Sequence, residues 1–223
     1  MRKVIGAAFV SLDGVMQAPG GQTEDWTGGF KLGGWLLGVS DDVVDEVIGG
    51  WFEKPFDLLL GRRTYDIFSA YWPYVEGDGK PMGETFDRVG KYVLTHQEGP
   101  LEWQNSHRLG DLDALAELKR SNGPDLVIQG SSTIYPQLLA AGLIDRFTLM
   151  IFPVVLGSGK RLFGNGTPPR SMTMVEQKVS PGGTIIATYE PAGDVKLETI
   201  GAPVHSDREE ARQERMKREE EAR

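Results

Sequence analysis

Apolar and polar positions run in blocks along the chain, and the period changes from block to block. Residues 3–10, KVIGAAFV, are an apolar run closed by Ser11-Leu12-Asp13-Gly14, which predicts a buried first strand. Residues 40–52, SDDVVDEVIGGWF, switch to a helical period. Val43, Val44, Val47, Ile48 and Trp51 form one stripe, Ser40 is placed to cap it, and Asp41 and Asp42 suit its first turn. Beyond Pro55 the pattern predicts a strand at 57–60, a helix at 62–70, a strand at 91–95, a helix at 111–120 and a strand at 125–130. A helix at 131–142 follows, with Pro136 in its first turns and Gly142 at its end, and then a strand at 146–156. Residues 171–190 read as a hairpin around Pro181-Gly182-Gly183. Strands alternating with helices predict an α/β fold with a mostly parallel central sheet, an antiparallel C-terminal strand and helices on both faces.

Two segments break the pattern. Residues 13–34 are rich in glycine, contain Pro19, Gln22, Thr23 and Trp26, and show no period; a loop of that length in a domain is usually functional. Residues 206–223 hold thirteen charged side chains in eighteen positions, favour helix and carry no apolar stripe. The predicted organisation is a domain at 1–192, a linker at 193–205 and a charged, helical or disordered tail at 206–223.

Composition narrows the function. The net charge of −8 argues against nucleic acid as a partner, and no apolar stretch is long enough for a membrane span. The absence of cysteine excludes thiolate chemistry and fits a reducing cytoplasm. The three histidines, His96, His107 and His205, are scattered, so no metal site is predicted.

The chemistry concentrates where strands end. Leu58-Leu59-Leu60 stops at Gly61, and Arg62, Arg63 and Thr64 open the next helix. Cations at a helix N-terminus oppose its dipole, so an anionic ligand would complete the arrangement. Gly130-Ser131-Ser132-Thr133 marks a second strand end where small residues admit a ligand to backbone N–H groups. Two such turns suit a diphosphate at the carboxyl edge of a parallel sheet. Taken alone, the first is equally a turn with two solvated arginines. No G-x-G-x-x-G is present, and Gly157-Ser158-Gly159-Lys160 lacks the remainder of a P-loop and reads as a surface turn.

Ordered motifs extend this reading. Leu60-Gly61-Arg62-Arg63-Thr64-Tyr65 resembles the GRxT segment of dihydrofolate reductases, and Ser11-Leu12-Asp13-Gly14 resembles the first loop of the reductase domain of bacterial riboflavin-biosynthesis proteins. Gln129-Gly130-Ser131-Ser132-Thr133-Ile134, Leu143-Ile144-Asp145-Arg146 and the run from Pro153 to Phe163 are similar to the third signature of that superfamily. The resemblance covers about residues 1–190, in order. It implies a dihydrofolate-reductase-like fold and a nicotinamide-dependent reductase, with NADPH as cofactor, acting on a pteridine or pyrimidine-like heterocycle. A homodimer is the family expectation. The alternative is a nucleotide- or pterin-binding protein of the same fold without turnover.

By position, the resemblance implies that Arg62, Arg63 and Thr64 hold the phosphate and adenosine part of the cofactor, and that Thr95 and His96 border the adenosine. Gly130, Ser131 and Ser132 would lie under the diphosphate, and backbone near Ala8 and Phe9 would border the nicotinamide. The chain departs from the family in having Gly130-Ser131 for a Gly-Gly pair, and His96 where an arginine is common. Folate reductases carry a carboxylate on the helix before GRxT, and a gap-free count places Asp45 there. The stripe on that helix is expected to put Asp41 and Asp45 at its margins and to turn Asp42 and Glu46 away. Asp45 and Asp13 are thus the catalytic candidates; Asp41, Trp35 and Trp26 are the candidates for holding substrate. A phosphorylated pyrimidine would also need a basic group there, which only Lys31 in the long loop offers.

Overall fold

The computed structural model describes residues 1–164, 166–202 and 205–222. Within them eight strands form a sheet in the order β4-β3-β2-β5-β1-β6-β8-β7. The strands are β1 (Val4–Ser11), β2 (Phe56–Gly61), β3 (Lys91–Leu94), β4 (Ser106–Leu109), β5 (Asp125–Gln129), β6 (Arg146–Phe152), β7 (Met172–Val179) and β8 (Ile185–Pro191). The helices are α1 (Asp42–Gly50), α2 (Arg62–Tyr71), α3 (Lys80–Arg88), α4 (Leu112–Arg120), α5 (Tyr135–Ala140) and α6 (Asp207–Glu221). Strands β1 to β6 pair in parallel, and β8 joins β6 and β7 antiparallel.

Alternation along the strands assigns the two faces. Val4, Ala8 and Val10 of β1, with Leu126 and Ile128 of β5, pack under α4 and α5 through Leu115, Leu138 and Leu139. On the opposite face, α1 covers Phe9, Met150, Phe152 and Ile186 with its predicted stripe. Val44, at the centre of that stripe, is fully buried, worth about 1.5–3 kcal/mol. Also on that face, α2 and α3 cover Leu58, Leu60, Val93 and Val127. Strand β5 lies between β2 and β1, so on this face its end sits under the gap between α2 and α1.

Several boundaries differ from expectation, each for a local reason. Asp41, not Ser40, caps α1: it has extended dihedrals, and its Oδ1 accepts from Val44 N at 3.1 Å. The expected helix at 131–142 shortens to α5, because Ser131 takes the left-handed conformation (φ 69°) and residues 131–134 form a turn. Strand β6 stops at Phe152 before Pro153, and Val154 O accepts from Leu12 N at 2.8 Å instead. Two elements were not expected. Helix α3, KPMGETFDR, turns only Gly83 and Phe86 fully inward, and β4, SHRL, is a short polar edge strand.

The chain divides into two units, Met1–Gly193 and Asp194–Arg223. The second contains α6, capped by the Ser206 hydroxyl on Glu209 N at 3.2 Å and stitched by the Glu209–Arg212 ion pair at 2.6 Å. Pro203 and Val204 of the expected linker, and Arg223 of the tail, lie outside the described residues.

Candidate active site

On one face of the sheet the gap between α1 and α2 lies over β5, and at the carboxyl edge it is the candidate cleft. Strand β5 ends at Gln129 opposite Ala7, whereas β1 runs on beside β6 to Ser11. Beyond Ala7, one edge of β1 therefore has no strand beside it, which places backbone of Ala8 and Phe9 along the gap. The Ala8 side chain faces away, into the core under α5.

The two predicted turns meet here. Ser131 Oγ accepts from Gly61 N at 2.9 Å and donates to Thr64 Oγ1 at 2.7 Å, so one hydroxyl lashes the start of α2 to the end of β5. The site also needs close backbone approach. A Cβ on Gly61 would stand 3.2 Å from Ile134 Cγ2, and Gly130 has φ +81°, which disfavours any side chain. Ser131 thus acts through its side chain as a brace, and Ser132 follows it in the turn.

The arginines take different positions. Arg62 bonds Asp66 at 2.8 Å and lies beside Gly99, yet its Nη1 is buried with no partner. An orphaned buried guanidinium donor is costly unless a ligand takes it. Arg63 is 58% exposed and leans toward the long loop. Thr95 is buried just past β3 with its hydroxyl on Gln97 N at 3.1 Å, while His96 is exposed. Arg108 fixes this 96–99 segment by donating to the Gln97 and Gly99 carbonyls. Arg62, Thr64, Thr95, Gly130 and Ser131 are thus carried by neighbouring strand ends, with Arg63 and His96 at the rim.

The carboxylates separate into two kinds. Asp13 accepts from Ser11 Oγ (2.7 Å), Leu156 N (3.0 Å) and Gly157 N (2.9 Å). These bonds, the serine's foremost, hold its carboxyl down at about 2. So filled, Asp13 is a clasp between the exit of β1 and the loop after β6. Asp41 is also a clasp, since besides capping α1 it accepts from Gly182 N at 2.7 Å in the β7–β8 turn. Ser180, with these donors, keeps it below the usual carboxylate range. Asp45 sits in the first turn of α1, exposed, with the Ser40 hydroxyl at 3.3 Å. It is not at the margin of the stripe: at 100° per residue it falls about 130° from the stripe's centre, as far as Glu46 on the other side. Glu46 is exposed too and reaches Lys178 at 3.3 Å.

The tryptophans also divide. Trp35 packs edge-on against Phe152 (5.7 Å, 76°) and donates to Gln17 O at 2.9 Å, which makes it part of the packing under the loop. Trp26 is 65% exposed, and Lys31 is exposed in the same loop.

Gln129 is a further candidate that the sequence reading did not single out. It shares a face with Val127 and stands beside Ala7 under the gap, and its Oε1 is buried without a partner. A polar residue closing the apolar run Leu126-Val127-Ile128 was the signal available.

Comparison with known proteins gives the fold and the family. The uncharacterized protein YyaP of Bacillus subtilis (strain 168) is 25% identical over 194 residues, 84% of this chain and 94% of its own. A crystal structure from Shewanella sp. PV-4, named for riboflavin biosynthesis, superposes with a TM-score of 0.63 at 23% identity, covering 85% of this chain and 99% of that one. Dihydrofolate reductase from Enterococcus faecalis, complexed with NADP(H), does so with a TM-score of 0.51 at 13% identity over 85% and 96% of the two chains. The fold is therefore dihydrofolate-reductase-like. With the RibD C-terminal domain model matching residues 2–186, through both strand-end turns, the chain belongs to that family.

Proposed function

We propose that the protein is an NADPH-dependent reductase acting on a pteridine or pyrimidine-like heterocycle. The observation that carries this reading is the pair of strand-end turns braced by Ser131 beside the orphaned Nη1 of Arg62. A buried, unpaired guanidinium donor at a helix start, close to glycine turns that admit a ligand, suits the phosphates of a dinucleotide. Arg62, Arg63 and Thr64 hold the phosphate and adenosine part, Gly130, Ser131 and Ser132 lie under the diphosphate, and Thr95 and His96 border the adenosine. The cofactor, when bound, supplies hydride.

The chain's own task is orientation and proton supply. Backbone of Ala8 and Phe9 seats the nicotinamide, and the Gln129 carboxamide, on the floor of the gap, offers hydrogen bonds to the heterocycle. Asp13 and Asp41 are committed to backbone donors. Asp45, at the end of α1 nearest the carboxyl edge, is the remaining predicted carboxylate; its spacing from Gly61, and not its orientation on α1, makes it the group proposed to exchange the proton. A second reading, a binding protein without turnover, draws on the exposure of Asp45.

The experiment is a titration with NADPH and NADH followed by tryptophan quenching, then a screen of pteridines and pyrimidines for NADPH oxidation. Oxidation with any of them supports the reductase. Binding without oxidation across the panel supports the second reading, and no binding of either nucleotide overturns both.

A further inference from the structure

Lys160 closes the Gly157-Ser158-Gly159-Lys160 turn after β6, far in sequence from either strand-end turn. Its ammonium lies 2.5 Å from Asp25 Oδ2 and 2.7 Å from Thr27 Oγ1, and its backbone N–H donates to Gln17 Oε1 at 2.9 Å. Asp25 belongs to the long loop, and its side chain is only 7% exposed. The other oxygen, Oδ1, accepts from the Thr27 hydroxyl at 2.5 Å and from Thr27 N at 3.0 Å, and it faces Arg63 Nη1 at 3.6 Å. That same Nη1 reaches Thr27 Oγ1 at 3.3 Å. One buried carboxylate is thus shared between two cations from different parts of the chain, and Thr27 touches both.

The sharing is unequal. The contact to Lys160 is a short hydrogen bond, and the contact to Arg63 is a loose ion pair on one nitrogen. A guanidinium has five donors, so this leaves most of Arg63 unused. Burial works to raise the Asp25 carboxyl, but the bonds from Lys160 and Thr27 outweigh it and hold the group ionised. A buried carboxylate needs a close counter-charge. Without Lys160, the cation left to Asp25 in this cluster is Arg63, and the loose pair would close into a charge-assisted one.

We propose that Lys160 is a positioning residue for cofactor binding: by satisfying Asp25, it leaves the Arg63 guanidinium free for a phosphate of the dinucleotide. This rests on the reading of the cleft as an NADPH site. Lys160 touches no ligand; it acts through Asp25 on Arg63.

The test is the dissociation constant for NADPH, measured by fluorescence with the full chain, alongside the melting temperature. Lys160→Met weakens NADPH by roughly three- to tenfold, a fraction of one charge-assisted hydrogen bond. Asp25→Asn leaves affinity unchanged or tightens it, and Lys160→Arg stays near wild type. The diagnostic result is that Lys160→Met has no further effect in an Asp25→Asn background or in an Arg63→Ala background. A merely structural clasp would behave otherwise, with Asp25→Asn and Lys160→Met both weakening binding and both lowering the melting temperature; that outcome overturns the inference while leaving the cofactor reading intact. No NADPH binding by the wild-type chain overturns the two together.

Discussion

Two regions of the molecule treat charge in opposite ways. At the start of α2, cations keep donors in reserve: Arg62 Nη1 has no partner, and Arg63 is 58% exposed. In the long loop and at the start of α1, carboxylates are committed. Asp13 holds Leu156 and Gly157, Asp25 holds Lys160 and Thr27, and Asp41 holds Val44 and Gly182. A chain with excess negative charge thus uses several of its acids to tie loops down.

The largest effect expected from breaking this contrast is at Asp45. Asp45→Asn keeps size and one acceptor oxygen but removes the charge, so turnover with a substrate found in the screen should fall by roughly 10²–10⁴, the usual worth of a positioned acid or base. NADPH affinity should not change. Asp41→Asn is the counterpart: it should lower the melting temperature by releasing α1 and the β7–β8 turn, and affect turnover less. Normal turnover in Asp45→Asn removes Asp45 from the mechanism.

Next is the cationic region. Arg62→Ala combined with Arg63→Ala should weaken NADPH by about tenfold or more, given about 1.5–3 kcal/mol for each hydrogen bond to a charged group. NADH should lose less, because it lacks the extra phosphate. Equal losses, read by fluorescence titration, would mean that the arginines do not recognise that phosphate.

A smaller effect is expected at the brace. Ser131→Ala leaves the buried Gly61 N–H without its acceptor and Thr64 without its donor. Unfolding in urea should show a loss of about 1–3 kcal/mol, accompanied by weaker NADPH binding. Unchanged stability would mean that the two turns hold together without the hydroxyl.

The smallest effect belongs to the clasp side and depends on pH. The Asp13 carboxyl titrates at about 2, below its ordinary 3.8. The ionised group therefore stabilises the fold above about pH 4, and that contribution disappears as pH falls through about 2. Asp13→Asn should flatten stability over this acid window and lower it at neutral pH, as denaturation at stepped pH values would show. A wild-type acid profile in Asp13→Asn would mean that the clasp contributes nothing.

Much was legible in sequence because it depends on local pattern. The stripe on α1, the apolar strands and the turn glycines each follow from spacing and backbone sterics, so the parallel sheet, its antiparallel edge and the two strand-end turns could be read. Helix α3 and strand β4 could not, because they bury little: one shows Gly83 and Phe86 to the core, the other is a polar edge strand. The capping of α1 by Asp41 rather than Ser40 was undecidable locally, since both residue types cap well. The NH of Gly182, distant in sequence, also engages Asp41.

For the site, sequence alone determined which residue types stand at each strand end, because a turn between strand and helix demands glycine and small polar residues whatever surrounds it. Only the tertiary structure decided which of those polar groups are already used. Asp13 and Asp41 looked like free carboxylates in the chain and proved to be filled by donors 143 and 141 residues away. Gln129 looked ordinary in the chain, and both it and the predicted Arg62 proved to hold buried atoms without partners. Hydrogen-bond satisfaction is set by pairs distant in sequence, so it exists only once the sheet and its loops have assembled.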